Sequence, residues 1–293
     1  MPILSDNMRG AFLMMGAMGA YTVNDAFMKI VAADLPLFQA IMLRGIGAVI
    51  CLVLLCRLMG QFRFDLPRRD WWWIALRSAC EMAGTYFFIT ALLHMPIANI
   101  SAIMQVLPLS VALAAAFFLR EPLGWRRLTA IFVGFVGVLL IIQPGGAAFN
   151  SFSIYALITV ACITLRDLTV RRMSPDVPPL LVALAAAVWV AILGVFGAVA
   201  TTWEPMTVTA GLQLAGATLF LIVGYIFSVM AMQRGEISFI APFRYTSLLV
   251  ALVLGVVIFG EWPDTLTLIG AGIVVATGLF TLYREAQLRT HAH

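Results

Sequence analysis

Eight ionisable residues interrupt stretches of this sequence that are otherwise apolar: Asp25, Lys29, Arg44, Arg77, Glu81, Arg166, Asp167 and Arg244. If those stretches cross a bilayer, each charge costs about 2.5–3.5 kcal/mol near the membrane centre and less towards its surfaces. Such groups must pair, contact water in a cavity, or bind something. Arg77 and Glu81 lie four residues apart, as do Asp25 and Lys29, the spacing of intrahelical ion pairs or of a gate. Lys29, Arg166 and Arg171 are near enough to the ends of their stretches to snorkel outwards. Arg44 and Arg244 have no acid within reach on their own helices. Arg244 also follows Pro242, where a kink frees backbone carbonyls. Glu81 is the deepest acid. Arg244, Glu81 and Arg44 are therefore the first candidates for contacting a solute, followed by Arg77, Asp25 and Asp167.

Polar and aromatic neighbours extend that set. Gln105 shares a helical face with Ser101 and Pro108, and Pro108 and Pro242 point to two matching broken helices. Tyr86, Trp189, Tyr225 and Tyr245 are candidate cavity walls, although aromatic residues in such stretches more often pack. His94 falls at a loop. Within the apolar stretches five basic residues face three acidic ones. That surplus suits a zwitterionic or anionic solute, with Arg for a carboxylate and Glu or Asp for an amine, whereas a cationic drug calls for a net acidic cavity.

Catalysis and ATP use find little support. No His lies deep in an apolar stretch, no HExxH or DxxD run occurs, and GxxxxGK[ST] is missing. No cofactor is implied. Cys51, Cys56, Cys80 and Cys162 sit in apolar runs without CxxC, as small hydrophobes do.

The elements that must position these residues follow from composition. Of 293 residues, 62% are hydrophobic and 11% charged, with a mean hydropathy of +1.01. A soluble chain is about half apolar and about a quarter charged, so a soluble enzyme, a disordered chain and a nucleic-acid-binding module are all excluded. The lipid bilayer is the expected environment, and the net charge of +4 reads as topology. A span needs roughly 20 apolar residues. Ten fit: about 10–32, 37–58, 71–93, 97–119, 126–142, 152–171, 179–201, 210–232, 237–259 and 265–283. Short breaks such as Asp34-Leu35-Pro36, Met95-Pro96, Glu121-Pro122 and Trp262-Pro263-Asp264 separate them. The first run lacks the basic start of a signal peptide and continues into Asn24 and Asp25, so it should be retained.

With a cytoplasmic N-terminus, Arg9, Arg57, Arg63, Arg68, Arg69, Arg120, Arg126, Arg127, Arg171, Arg172, Arg234, Arg284 and Arg289 all fall on the inner side. The five outer loops then hold neither Lys nor Arg. Both termini are expected in the cytoplasm. Trp71-Trp72-Trp73 stands where an interfacial anchor belongs.

The halves repeat. At an offset of 142, Asp25 meets Asp167, Lys29 meets Arg171 and Pro36 meets Pro178. At 140, Gly84 meets Gly224, Ala91 meets Ala231, Ile97 meets Ile237, Ile100 meets Ile240 and Glu121 meets Glu261. Five spans per half is an odd number, so the second half enters the membrane inverted, a recurring build of secondary transporters. The expected fold is all-α, with ten transmembrane helices in two inverted repeats, residues 1–147 and 148–293.

Phe118-Leu119-Arg120-Glu121-Pro122 followed by Gly134 and Gly137, and Phe259-Gly260-Glu261-Trp262 followed by Gly270, Gly272 and Gly278, resemble the drug/metabolite transporter superfamily, specifically its EamA-type bacterial members. The resemblance covers essentially the whole chain. It implies a protein of the bacterial inner membrane whose spans 1–4 and 6–9 line a central cavity. It also implies peripheral fifth and tenth spans whose glycines serve close packing or a homodimer contact.

The leading expectation is a secondary transporter that moves a small polar metabolite, such as an amino acid, a related zwitterion or a carboxylate, by alternating access. Its rival is efflux of amphipathic cations with Glu81 as the essential acid. A membrane enzyme on lipid-linked substrates finds no motif to support it, and the inverted repeat speaks against a scaffold or sensor without flux.

Overall fold

The computed structural model describes residues 6–118, 120, 124–145, 149–199, 201–234 and 240–290, without the side chains of 127, 232–234 and 284–290. Leu119, Glu121, Pro122 and Ile237 of the motifs above lie outside the described residues. Helices run in the order α1 (Asp6–Val31), α2 (Leu37–Leu58), α3 (Arg68–His94), α4 (Ile97–Met104), α5 (Leu107–Phe118), α6 (Trp125–Ile142), α7 (Ser153–Val170), α8 (Pro179–Val199) and α9 (Val208–Arg234). A 3₁₀ turn, Ala241–Tyr245, then leads into α10 (Thr246–Phe259) and α11 (Thr265–Thr290). No strand occurs among the described residues.

Among the described residues ten segments are present at the ten expected places. The fourth and ninth are broken, at Gln105–Val106 and at the turn before Thr246, beside Pro108 and Pro242, which cannot donate to a helical ladder. Among the described residues seven segments are long and apolar enough to cross a membrane. The first and third reach 26 and 27 residues but carry the internal charges. Three helices overrun their expected ends, because polar turns at Asp6–Arg9, Arg68–Asp70 and beyond Tyr283 continue the ladder past the apolar core.

The chain folds as two compact units, and both halves of the sequence contribute to each. One holds Met1–Val23, His94–Leu157 and Val223–His293, the other Asn24–Leu93 and Ile158–Ile222.

In the first unit α6 packs on α11, the fifth span on the tenth. A Cβ on Gly270 would stand 2.5 Å from the Gly137 carbonyl oxygen, and one on Gly278 would overlap the Tyr245 hydroxyl. Gly137, Gly270 and Gly278 pack inside this chain, whereas nothing lies within 4 Å of a Cβ on Gly272. Met14, Ala17, Ala231 and Ile240 form a core between α1 and the end of α9. Gly260 ends α10 with φ +64°, the left-handed position glycine takes without strain. Its neighbour Glu261 accepts a hydrogen bond from the Ile97 N–H at 2.9 Å. The residue before Ile97 is Pro96, which gives α4 no side-chain cap, so the Glu261 carboxylate supplies one to a positive helix end. Glu261→Ala should cost about 1 kcal/mol, seen as a lower unfolding midpoint in detergent. Glu261→Gln, which keeps an acceptor oxygen, should lose less.

In the second unit α2 packs on α8, the second span on the seventh. A Cβ on Gly194 would fall 2.5 Å from the Met42 backbone nitrogen and Cα, and one on Gly45 3.0 Å from Ala191 Cα. The backbones therefore touch, as small residues allow in membrane helix pairs. Met28, Ile41, Ile89, Val190, Leu214 and Ala217 fill the core. Loop backbones are held by side chains: Gln39 donates to the Glu204 carbonyl at 2.9 Å and accepts its N–H at 3.1 Å. Asp70 accepts the Ser174 N–H at 3.1 Å, and Gln61 the Leu180 N–H at 3.2 Å.

The packing obeys the exchange of halves. The second span meets the seventh, the fourth the ninth and the fifth the tenth, each with its own repeat equivalent. Gly84 on α3 faces Cys162 on α7, while its counterpart Gly224 on α9 faces Tyr21 on α1. Cys162 and Tyr21 are 141 apart, between the two offsets of the sequence repeat, 142 and 140.

Candidate substrate site

Seven of the eight intramembrane charges lie within the second unit, on α1, α2, α3 and α7. The tightest group is a triad. Arg166 on α7 reaches Glu81 Oε2 on α3 at 2.9 Å with one terminal nitrogen, and Asp167 Oδ1 at 2.9 Å with the other and with Nε. The Arg166 side chain is 20% exposed. Contrary to the expectation from its place near the end of the stretch, Arg166 does not snorkel outwards but turns into the unit, because two carboxylates hold it there. Glu81 likewise takes its contact partner from another helix. Arg77, one turn away on α3, and Arg44 lie within its electrostatic reach.

The second group surrounds Arg44 on α2. Arg44 is 8% exposed, and its terminal nitrogen meets Asn24 Oδ1 at 3.5 Å. Asn24, also buried, donates through Nδ2 to Asp25 Oδ1 at 2.9 Å. Asp25 and Glu81 are the charges within electrostatic reach of Arg44. The two groups are repeat equivalents, since Asp25 matches Asp167 and Asn24 matches Arg166 at an offset of 142. Each aspartate accepts a hydrogen bond from the side chain just before it.

The cation surplus does not collect in one place. Asp25, Arg44, Arg77, Glu81, Arg166 and Asp167 comprise three cations and three anions. Lys29 is half-buried on α1, and Arg244 belongs to the first unit, exposed on the 3₁₀ turn. Gln105 and Tyr245 also belong to the first unit. Gln105 donates to Ser247 Oγ at 2.7 Å, joining the breaks of the fourth and ninth spans, and Ser247 donates to the Arg244 carbonyl at 3.0 Å. Tyr245 is buried, with its hydroxyl seated against Gly278. In the second unit Tyr86 stacks on Phe38, ring centroids 5.9 Å apart, while Trp189 is 37% exposed on α8. A cavity of about 420 Å³ lies beside Gln39, Leu43, Trp203 and Glu204. His94 stacks on Phe152 at the start of the second half.

Asn24 is not among the residues expected from sequence, and Arg166 is expected there only as an outward-reaching side chain. Both precede a repeat-matched aspartate, a signal that was available.

The EamA-like transporter family matches residues 8–143 and again 150–283, nearly the whole chain and both repeats. This chain belongs to that family. It is accordingly a multi-pass membrane transporter and not an enzyme. An S-adenosylmethionine uptake transporter of Rickettsia bellii is 27% identical over 192 residues, 65% of each chain. The pseudopaline exporter CntI of Pseudomonas aeruginosa is 24% identical, covering 94% of this chain and 96% of its own. A riboflavin transporter of Vibrio cholerae is 23% identical over 98% and 97%. A crystal structure 16% identical, covering 95% of this chain and 98% of its own, matches with a TM-score of 0.61, a likeness of fold.

Proposed function

We propose that this member of the family carries a small metabolite bearing an amino-acid or carboxylate group, by alternating access. The observation behind this reading is the mixed charge of the second unit, where three arginines and three carboxylates stand on four helices of an apolar protein, with Lys29 on the first of them. Buried charges of both signs are worth their insertion cost where a solute with both signs must be recognised. Names among the relatives agree in part: S-adenosylmethionine carries an α-amino acid head. The rival reading, cation efflux through Glu81, is disfavoured by the Arg166 guanidinium already seated on that carboxylate.

Proteoliposomes and a solute panel test it. Amino acids, S-adenosylmethionine and dicarboxylates should accumulate above empty-vesicle controls, and organic amines lacking a carboxylate should not. Accumulation of the amines alone would overturn the proposal.

A further inference from the structure

The two repeat-equivalent groups differ in one respect that separates a structural ion pair from a receptor. Around Asp167 the preceding residue is Arg166, whose guanidinium fills the space between two carboxylates, so charge meets charge directly. Around Asp25 the preceding residue is Asn24, a neutral amide. Its oxygen touches Arg44 and its nitrogen touches Asp25, holding the cation and the anion apart. Arg44 is more than nine-tenths buried, its one hydrogen bond among the described residues is the long contact to Asn24, and its Nε is buried without a partner. Asp25 is half-buried and commits only Oδ1 to Asn24. A buried guanidinium left this open is costly unless an anion completes it.

We infer that Arg44, Asn24 and Asp25 form a receptor for the head of an α-amino acid, Arg44 taking the carboxylate and Asp25 the ammonium, with the Asn24 amide as the spacer that prevents them from neutralising each other. This rests on the proposed reading and sharpens it from a class of solute to one headgroup and three residues. The chemistry fits because an α-amino acid places both charges on one carbon. Arg presents a planar fork of donors to a carboxylate, and charge-assisted bonds of this kind are the strong ones. The Arg166 triad, already closed, then serves to hold α3 against α7.

The test uses the full-length protein in detergent and in proteoliposomes. The probes are the common L-amino acids and S-adenosylmethionine, each beside the amine formed by removing its carboxylate. The wild-type protein should bind at least one zwitterion about thirtyfold more tightly than its decarboxylated partner. In Arg44→Met that preference should fall to within a few fold, with the unfolding midpoint unchanged or raised, since a buried cation held by a single long hydrogen bond has been removed. Asn24→Asp offers a second route: a carboxylate placed against Arg44 should fill the receptor and abolish zwitterion binding, with a lower unfolding midpoint because Asp25 loses the amide that donates to it.

Zwitterion transport that keeps its preference for the carboxylated solute in both variants would overturn the receptor and leave the proposed function standing. Transport of no carboxylated solute at all by the wild type would overturn both.

Discussion

Arg166→Met should lower the unfolding midpoint sharply, by an amount equivalent to about 3 kcal/mol. The substitution removes the cation shared by Glu81 and Asp167, whose side chains are only 29% and 32% exposed. Two carboxylates would then face each other in an apolar unit with no guanidinium between them. The penalty is that of stranded charge, which exceeds what the intact pair contributes. A compensating variant separates the two. In Arg166→Met combined with Glu81→Gln and Asp167→Asn the stranded charges are gone, and most of the stability should return. Thermal unfolding in a mild detergent reads all of these. If the single substitution leaves the midpoint within a degree of wild type, the triad does not hold α3 to α7.

The second large effect concerns the seam between α2 and α8. Gly194→Val should destabilise by about 3 kcal/mol, because its side chain would have to occupy the position of the Met42 backbone. A flexible neighbour could move aside; a helix backbone cannot without separating the pair along its length. Gly211→Ala is the matched control. Nothing lies within 4 Å of a Cβ there, and the change to alanine should be neutral or slightly stabilising. Expression level and the unfolding midpoint measure both. Equal midpoints for the two variants would show that α2 and α8 do not pack backbone to backbone.

The spans were legible because a membrane helix writes itself locally. Twenty apolar residues between turn signals are sufficient, and all ten segments stand where the hydropathy places them. The breaks in the fourth and ninth spans were legible for the same reason, since Pro108 and Pro242 remove backbone donors wherever they occur. Glu261 shows the limit. Its place after Gly260 carried the family resemblance, but the reason for a carboxylate there, the uncapped helix end at Ile97, lies 164 residues away. Arg166 shows it again. Its position near the end of α7 suggested an outward-reaching side chain, and only the approach of α3 supplied the carboxylate that turned it inward.

What this sequence determined by itself was the membrane environment, ten helical segments, two repeats and the list of charges that needed an explanation. Each depends on composition, spacing or an internal offset, quantities carried along the chain. What only the tertiary structure decided was how those charges are shared: a closed triad at Arg166, a spaced pair at Arg44 and Asp25, and Arg244 in a different unit from both. Electrostatic partners are set by distances between helices. Those distances follow from where small residues such as Gly45 and Gly194 let backbones approach, and no spacing along one helix contains them.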